Sequence, residues 1–323
     1  MMPRFTSLEV CAGAGGQARG LELAGFDHQG VVELDSDCCK TLRLNRPGWV
    51  IHEADLNAFS GDSYKGVDLF AGGLPCPPFS VAGKQLGPDD ERNLFPAAIR
   101  LVDQIRPKAV MIENVRGFLD AVFEDYRGFI KGELGKLGYE THWRLLNASD
   151  YGVPQLRPRV VIVALRHDIK DGFEWPTPNP YDAPTVGNVL YDLMAERGWI
   201  GARRWSINAD DIGPTLVGGS KKHGGPDLGP TRARKAWAAL GVDGKSIADE
   251  APDWDFVGMP RLTVRMAARI QGFSDDWAFY GKKTAAYRQI GNAFPPPVAK
   301  SVASQLVTAM SRKVVFPSRA VVQ

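Results

Sequence analysis

Cys76 stands in the run Pro75-Cys76-Pro77-Pro78-Phe79-Ser80, directly after the apolar stretch Val67-Asp68-Leu69-Phe70-Ala71. Prolines lack a backbone donor and fix φ, so this thiol belongs on a stiff loop at a strand end, not in a helix. A cysteine held there can act as a nucleophile, although most free cysteines are small buried hydrophobes. Glu113-Asn114-Val115 follows another apolar run and offers a carboxyl group. Gln155-Leu156-Arg157-Pro158-Arg159 carries two cations on an extended segment, where alternation predicts that both face one way; the bland alternative is a pair of solvent-facing arginines. Gln289-Ile290-Gly291-Asn292-Ala293 closes the set, with helix capping by a Gly-Asn turn as its structural alternative. Addition of a thiolate, assisted by a carboxylic acid in a dry site, is chemistry that such residues could perform.

The elements that must position them alternate. Strands are predicted at Phe5–Val10, 31–34, 49–51, 67–71, 109–112, 139–146 and 160–165, and helices over 16–24, 37–45 and 94–105. Such strand–helix–strand units imply an α/β fold with a mostly parallel sheet covered on both faces. The distinctive residues then fall at successive strand ends: Cys11 to Gly16, Glu33, Asp55, Cys76 and Glu113. In an open α/β sheet the ligand crevice lies along that edge. From Phe173 to Gly258 periodicity is poor and prolines and glycines are frequent. Regularity returns with a helix capped by Thr263 and a last helix after Pro295-Pro296-Pro297. The expected division is therefore residues 1–172, an irregular smaller domain at 173–258, and a completing part at 259–323.

Gly13-Ala14-Gly15-Gly16-Gln17-Ala18 fits the loose dinucleotide pattern, with Glu33 near the distance expected of a ribose ligand. A nicotinamide dehydrogenase is one reading of that loop, and a plain tight turn another. Asp55 favours S-adenosylmethionine, since an acid after the third strand can accept from an adenine amino group while Glu33 takes the ribose hydroxyls.

Composition allows an ordinary globular protein: 323 residues, 44% hydrophobic, 24% charged, formal net charge +2. No apolar run is long enough to span a membrane, and no signal peptide is apparent at the start. Cys11, Cys38, Cys39 and Cys76 fit neither a zinc site nor a disulfide framework, which predicts reduced cytoplasmic thiols and no metal.

Taken in order, these motifs closely resemble the DNA (cytosine-5) methyltransferases of bacterial restriction–modification systems. The resemblance covers everything outside 173–258. It implies an S-adenosylmethionine-dependent methyltransferase of Rossmann-like fold, releasing S-adenosylhomocysteine. Cys76 would add to C6 of a flipped cytosine, Glu113 would protonate N3, Asn114 would bond backbone near Cys76, and Arg157 and Arg159 would hold the base, Arg159 making the base contact. The cofactor would lie against Cys11, Ala12, Gly13, Gly15 and Gly16, with Glu33 at the ribose, Asp55 and Leu56 at the adenine, and Leu34 also in contact. Gly72, Pro75, Asn292 and Ala293 would complete the cofactor site, and Ser80 would touch a DNA phosphate. Two positions depart from the family pattern: Cys11, where phenylalanine is usual, and Pro77, where glutamine is usual. Arg261-Leu262-Thr263 and Gln271-Gly272-Phe273 resemble the ninth motif, and Thr215-Leu216 a dipeptide of the recognition region.

Nine basic residues lie between Arg197 and Lys245 against four acidic ones. Gly218-Gly219-Ser220-Lys221-Lys222-His223-Gly224-Gly225 reads as a basic loop that follows a DNA backbone, or as a solvated face. Its position favours the first: Lys221 and Lys222 are expected on phosphates, and at least one of Arg232 and Arg234 on a base. The expected partner is double-stranded DNA, met by a monomer, with a restriction endonuclease encoded nearby but not stably bound. RNA cytosine-5 methylation, or a catalytically silent nucleic-acid-binding module, are the alternatives.

Overall fold

The structure is a computed structural model that describes residues 5–75, 93–179, 183–219 and 225–312. Cys76, Ser80, Lys221 and Lys222 lie outside the described residues.

Seven strands form the main sheet. β1 (Phe5–Val10), β2 (Phe26–Glu33), β3 (Ile51–Glu53), β4 (Leu69–Gly73) and β5 (Ala109–Val115) run parallel. β6 (Tyr139–Asn147) and β8 (Pro158–Arg166) complete it, with β8 antiparallel to both its neighbours; a two-residue strand, β7 (Gln155–Leu156), precedes β8. The spatial order is β3-β2-β1-β4-β5-β8-β6. Strand order therefore reverses between β1 and β4, and a ligand crevice is expected outside their carboxyl ends. Those ends lead into Cys11–Gly16 and into Gly72–Pro75, two of the motifs that the sequence places on this edge.

The sheet is mostly parallel as expected, and burial of both faces explains its apolar strands. On β8, Val160, Ile162 and Ala164 join the core on one face, while Val161, Val163 and Leu165 join the core on the other. One face is covered by α3 (Phe95–Ile105) and α4 (Glu124–Lys136), the other by α1 (Gly16–Leu23) and α10 (Pro296–Ser311). α2 (Ser36–Asn45) begins at Asp35, whose side chain accepts from the Asp37 and Cys38 amides.

The elements differ from the sequence reading in several places, among them α9 (Lys283–Asn292), which it lacks, and β2, which begins at Phe26. α4 carries Gly128, Gly132 and Gly135, which weaken helical propensity and hide the pattern. Its buried Tyr126, Ile130 and Leu134 nonetheless form one stripe. Glu113 lies within β5, not beyond it, because pairing with Gly73 and Val161 continues the ladder. The segment read as irregular contains three helices, α5 (Val186–Ala195), α6 (Ala202–Asn208) and α7 (Thr231–Ala239), and a short strand β9 (Gly213–Pro214). They pack Trp199, Trp205 and Trp237 into a third core shared with α8 (Val264–Ile270) and α9 (Lys283–Asn292). Gly187 is needed where α5 meets α6, since a Cβ there would collide with the Ser206 carbonyl. Among the described residues no helix is long and apolar enough to cross a membrane.

Candidate active site

The chain leaves β1 through Cys11 at φ 50° and Gly13 at φ 55°, left-handed conformations that turn the loop over the strand end. Gly13 faces open space, whereas a Cβ on Gly15 would lie 2.7 Å from Leu42 and 2.8 Å from Trp277, and one on Gly16 would strike the Phe294 carbonyl. Gly15, itself at φ 86°, and Gly16 are thus required by close packing of Leu42 and the C-terminal segments against the loop. Only Gly13 of the three faces the crevice.

Glu33 ends β2 with both carboxylate oxygens in use: Oε2 accepts from the Gly13 amide at 2.7 Å and Oε1 from the Asp35 amide at 2.7 Å. Each oxygen retains a further lone pair, enough for two ribose hydroxyls. Burial raises its carboxyl above the ordinary value, with those amides pulling it back.

A cavity of about 350 Å³ opens beside this loop. Of the residues expected at the cofactor, Cys11, Ala12, Gly13, Glu33, Asn292 and Ala293 line it. Gly15, Gly16, Leu34, Asp55, Leu56, Gly72 and Pro75 do not line it. Leu34 is exposed, and Asp55 binds the Asn57 amide through Oδ1, close enough to help raise the Cys11 thiol.

Glu9 and Gln17, which the sequence reading passed over, also line the cavity. Both carboxylate oxygens of Glu9 and Oε1 of Gln17 are buried and find no partner within hydrogen-bond distance and angle among the described residues. An acid inside the apolar strand Phe5–Val10 was the available signal. Burial pushes the Glu9 carboxyl well up, the nearby Ala18 amide offsets part of that rise, and Glu33 adds to it. Unpaired buried acceptors in a glycine-cradled cavity fit a ligand that brings an ammonium group and hydroxyls, as the amino-acid and ribose parts of S-adenosylmethionine do.

The second half of the site lies at the end of β5. Glu113 is 6% exposed and lines the same cavity. It stands opposite Gly73 on β4 and Val161 on β8, while Arg159 stands opposite Val115. That diagonal pairing brings Arg159 Nε to 2.8 Å from Glu113 Oε1. Gly73 leaves the other oxygen uncovered, for a Cβ there would sit 3.4 Å from Glu113 Oε2. Burial raises the Glu113 carboxyl, and the Arg159 and Arg157 charges offset part of that rise. The described chain runs on from Gly73 to Pro75, beside which Cys76 follows in sequence.

The two arginines divide. Arg159 meets Glu113, whereas Arg157 is 1% exposed and donates to the carbonyls of Leu216, Gly291 and Ala293 at 2.8, 2.7 and 3.1 Å. The β7–β8 break places them on different partners, so simple alternation does not hold. Asn114 Oδ1 accepts from the Val115 amide at 2.9 Å, and its buried Nδ2 finds no acceptor among the described residues.

The described cysteines are free thiols. Burial, with Glu33, Asp55 and Glu9, pushes Cys11 up; burial and Glu33 likewise raise Cys38, and push Cys39 up to about 12. None of these three is poised as a thiolate. Of the arginines expected to meet DNA, Arg232 is exposed on α7, and Arg234 is half-buried with Nη2 3.4 Å from Thr231 Oγ1. Arg197 is held by Glu250 and Asp253 instead of standing free.

Two solved structures share this fold. Spodoptera frugiperda DNMT2 superposes with a TM-score of 0.65 at 17% identity, covering 94% of this chain and 99% of that one. The Schizosaccharomyces pombe Dnmt2 methyltransferase gives 0.62 at 18%, covering 95% and 98%. Sheet order and switch-point cavity are those of an α/β methyltransferase fold. The profile of the C-5 cytosine-specific DNA methylases matches residues 5–308. The type II methyltransferase M.NgoMIV of Neisseria gonorrhoeae is 55% identical over 313 residues, covering 96% of this chain and 99% of that protein. M.NaeI of Lentzea aerocolonigenes is 53% identical over 317 residues, covering 96% and 76%. This chain belongs to the C-5 cytosine-specific DNA methylase family and is a DNA (cytosine-5) methyltransferase.

Proposed function

We propose that the enzyme transfers the methyl group of S-adenosylmethionine to C5 of a cytosine flipped out of duplex DNA, through a transient bond between Cys76 and C6. The observation that carries this reading is Glu113, a buried carboxyl paired with Arg159 and open to the cavity that Gly13 and Glu33 shape. A cytosine ring is a poor nucleophile at C5 while its conjugation is intact. Addition of the Cys76 thiolate at C6, with a proton passed from Glu113 to N3, leaves an enamine whose C5 can form a bond to carbon. The cofactor supplies a methyl group made electrophilic by its sulfonium. Loss of the C5 proton to solvent, expulsion of the Cys76 thiolate and return of the N3 proton to Glu113 then restore the ring, and the cofactor leaves as S-adenosylhomocysteine. Arg159 would hold Glu113 in place and reach the base, and Glu9, Gly13 and Glu33 would hold the cofactor's amino-acid and ribose parts. Asp55 and Leu56 would flank its adenine.

Residues 1–172 and 259–323 are proposed to form one catalytic body, with 173–258 choosing the target sequence. A protective role beside a restriction endonuclease fits this assignment. Incubation with labelled S-adenosylmethionine and plasmid DNA, followed by bisulfite mapping, tests it: label in DNA, at cytosine, within one short sequence, is the expected result. Label in RNA alone would overturn it.

Within α7, Arg232→Ala and Arg234→Ala are expected to separate two kinds of contact. An arginine reading a guanine edge should lose about 1–3 kcal/mol of discrimination at one base pair when removed. A phosphate contact should instead weaken all duplexes alike and lower the salt slope by roughly one counterion. Binding to matched and single-mismatch duplexes at several salt concentrations separates these outcomes, and no change in either variant would make the exposed face of α7 a solvated one.

A further inference from the structure

Arg288 lies on α9, one turn before Asn292, and both side chains line the cavity beside Gly13. The main chain beneath it is fixed, since a Cβ on Gly218 would lie 2.5 Å from the Arg288 carbonyl oxygen. Its half-buried guanidinium makes no hydrogen bond or ion pair among the described residues. The other charged side chains in that lining are all acids: Glu9, Glu33, Asp35 and Glu113. Arg288 is thus the only cation among the described residues of the cavity wall.

The side-chain amides of the same wall already serve carbonyls. Gln289 Nε2 donates to Tyr280 O at 2.8 Å, Asn292 Nδ2 to Gly219 O at 3.1 Å, and Gln17 Nε2 to Met111 O at 3.5 Å. An anionic group entering this space would be repelled by the acids and left unpaired by the amides. The open guanidinium removes both objections, because its planar fork matches a carboxylate in charge and shape.

S-adenosylmethionine carries one anionic group, the carboxylate of its amino-acid part, beside an ammonium and a sulfonium. Glu9 and Glu33 offer acceptors to the ammonium and the hydroxyls, but neither can serve the carboxylate. We propose that Arg288 receives that carboxylate and so makes the enzyme select a cofactor that retains it. The proposal rests on the S-adenosylmethionine reading above and names the residue that recognises one end of the ligand.

S-adenosylhomocysteine and its decarboxylated analogue, in which an aminopropyl chain replaces the homocysteine, differ in that one group. Calorimetry on the full chain measures the dissociation constant of each. Wild type is expected to prefer S-adenosylhomocysteine by about 10–150-fold, the worth of a hydrogen bond to a charged group. Arg288→Gln keeps most of the side chain without its charge, and Arg288→Ala removes both. In each the preference should fall to within about threefold of unity or reverse, because the remaining acids favour the more cationic analogue. Binding of the analogue itself should stay within about threefold of wild type, which a general loosening of the cavity would not allow. Arg288→Lys should recover part of the preference, since the charge returns without the fork. Either uncharged variant decides the matter if the other melts early. A wild-type preference preserved in them would place the carboxylate on main-chain amides at the start of α1 and overturn the proposal. Equal binding of the two ligands by wild type, or a loss of affinity confined to duplex DNA in the variants, overturns it as well. Failure of wild type to bind S-adenosylhomocysteine at all overturns the cofactor reading instead.

Discussion

Cys76→Ala is expected to abolish methyl transfer while S-adenosylhomocysteine still binds and the melting temperature stays near that of wild type. The change removes the nucleophile but leaves the Gly13–Glu33 cradle untouched. The three described cysteines cannot substitute, because burial and acidic neighbours hold them as thiols. The wild-type protein should also become covalently attached to a duplex carrying 5-fluorocytosine at its target, in the presence of S-adenosylmethionine. Fluorine at C5 cannot leave as a proton, so expulsion of the Cys76 thiolate stalls. A denaturing gel reads this directly, and Cys76→Ala should give no adduct. Appreciable turnover by Cys76→Ala would remove the covalent mechanism.

Glu113→Gln should slow turnover by roughly 10²–10⁴-fold, the usual worth of general acid assistance. An amide can still hydrogen-bond N3 but has no proton to give. The pH dependence supplies a second check. Burial raises the Glu113 carboxyl, so its acid form survives above the ordinary carboxyl range and disappears as pH rises through the raised value. Wild-type turnover should carry an alkaline fall from that ionisation, which the glutamine variant lacks. Linkage gives a matching stability effect. A raised carboxyl stabilises the folded state fully below the ordinary carboxyl value and loses that contribution as pH rises through the raised one. The melting temperature of wild type should therefore drop relative to Glu113→Gln across that interval. A loss of only about twofold in turnover, with unaltered pH profiles, would mean that another group activates the ring.

Much of the arrangement was legible in the chain because its signals are local. Apolar runs of strand length, each followed by glycine, proline or an acid, place Cys11–Gly16, Glu33 and Glu113 at one sheet edge. Those cues depend on neighbours a few residues away, and the motif order that resembles the family is of the same kind. Where local propensity is poor the reading failed. α4 is hidden by three glycines, and α5, α6 and α7 by the prolines and glycines around them, although Tyr126, Ile130, Leu134 and Trp237 find cores that override composition.

The sequence by itself determined the α/β class, the carboxyl-end site, the residue types at hand and the family to which they are similar. Tertiary structure alone decided which way each polar side chain faces. Glu9 could have been an incidental acid in a strand, and burial beside Gly13 and Glu33 makes it part of the cavity. Arg157 and Arg159 are two residues apart, yet one closes on main-chain carbonyls 59 to 136 positions away while the other meets Glu113. The physical reason is that a buried charge must find partners wherever the fold supplies them. The contacts that Arg157 uses exist only after Leu216 and the end of α9 have been packed together.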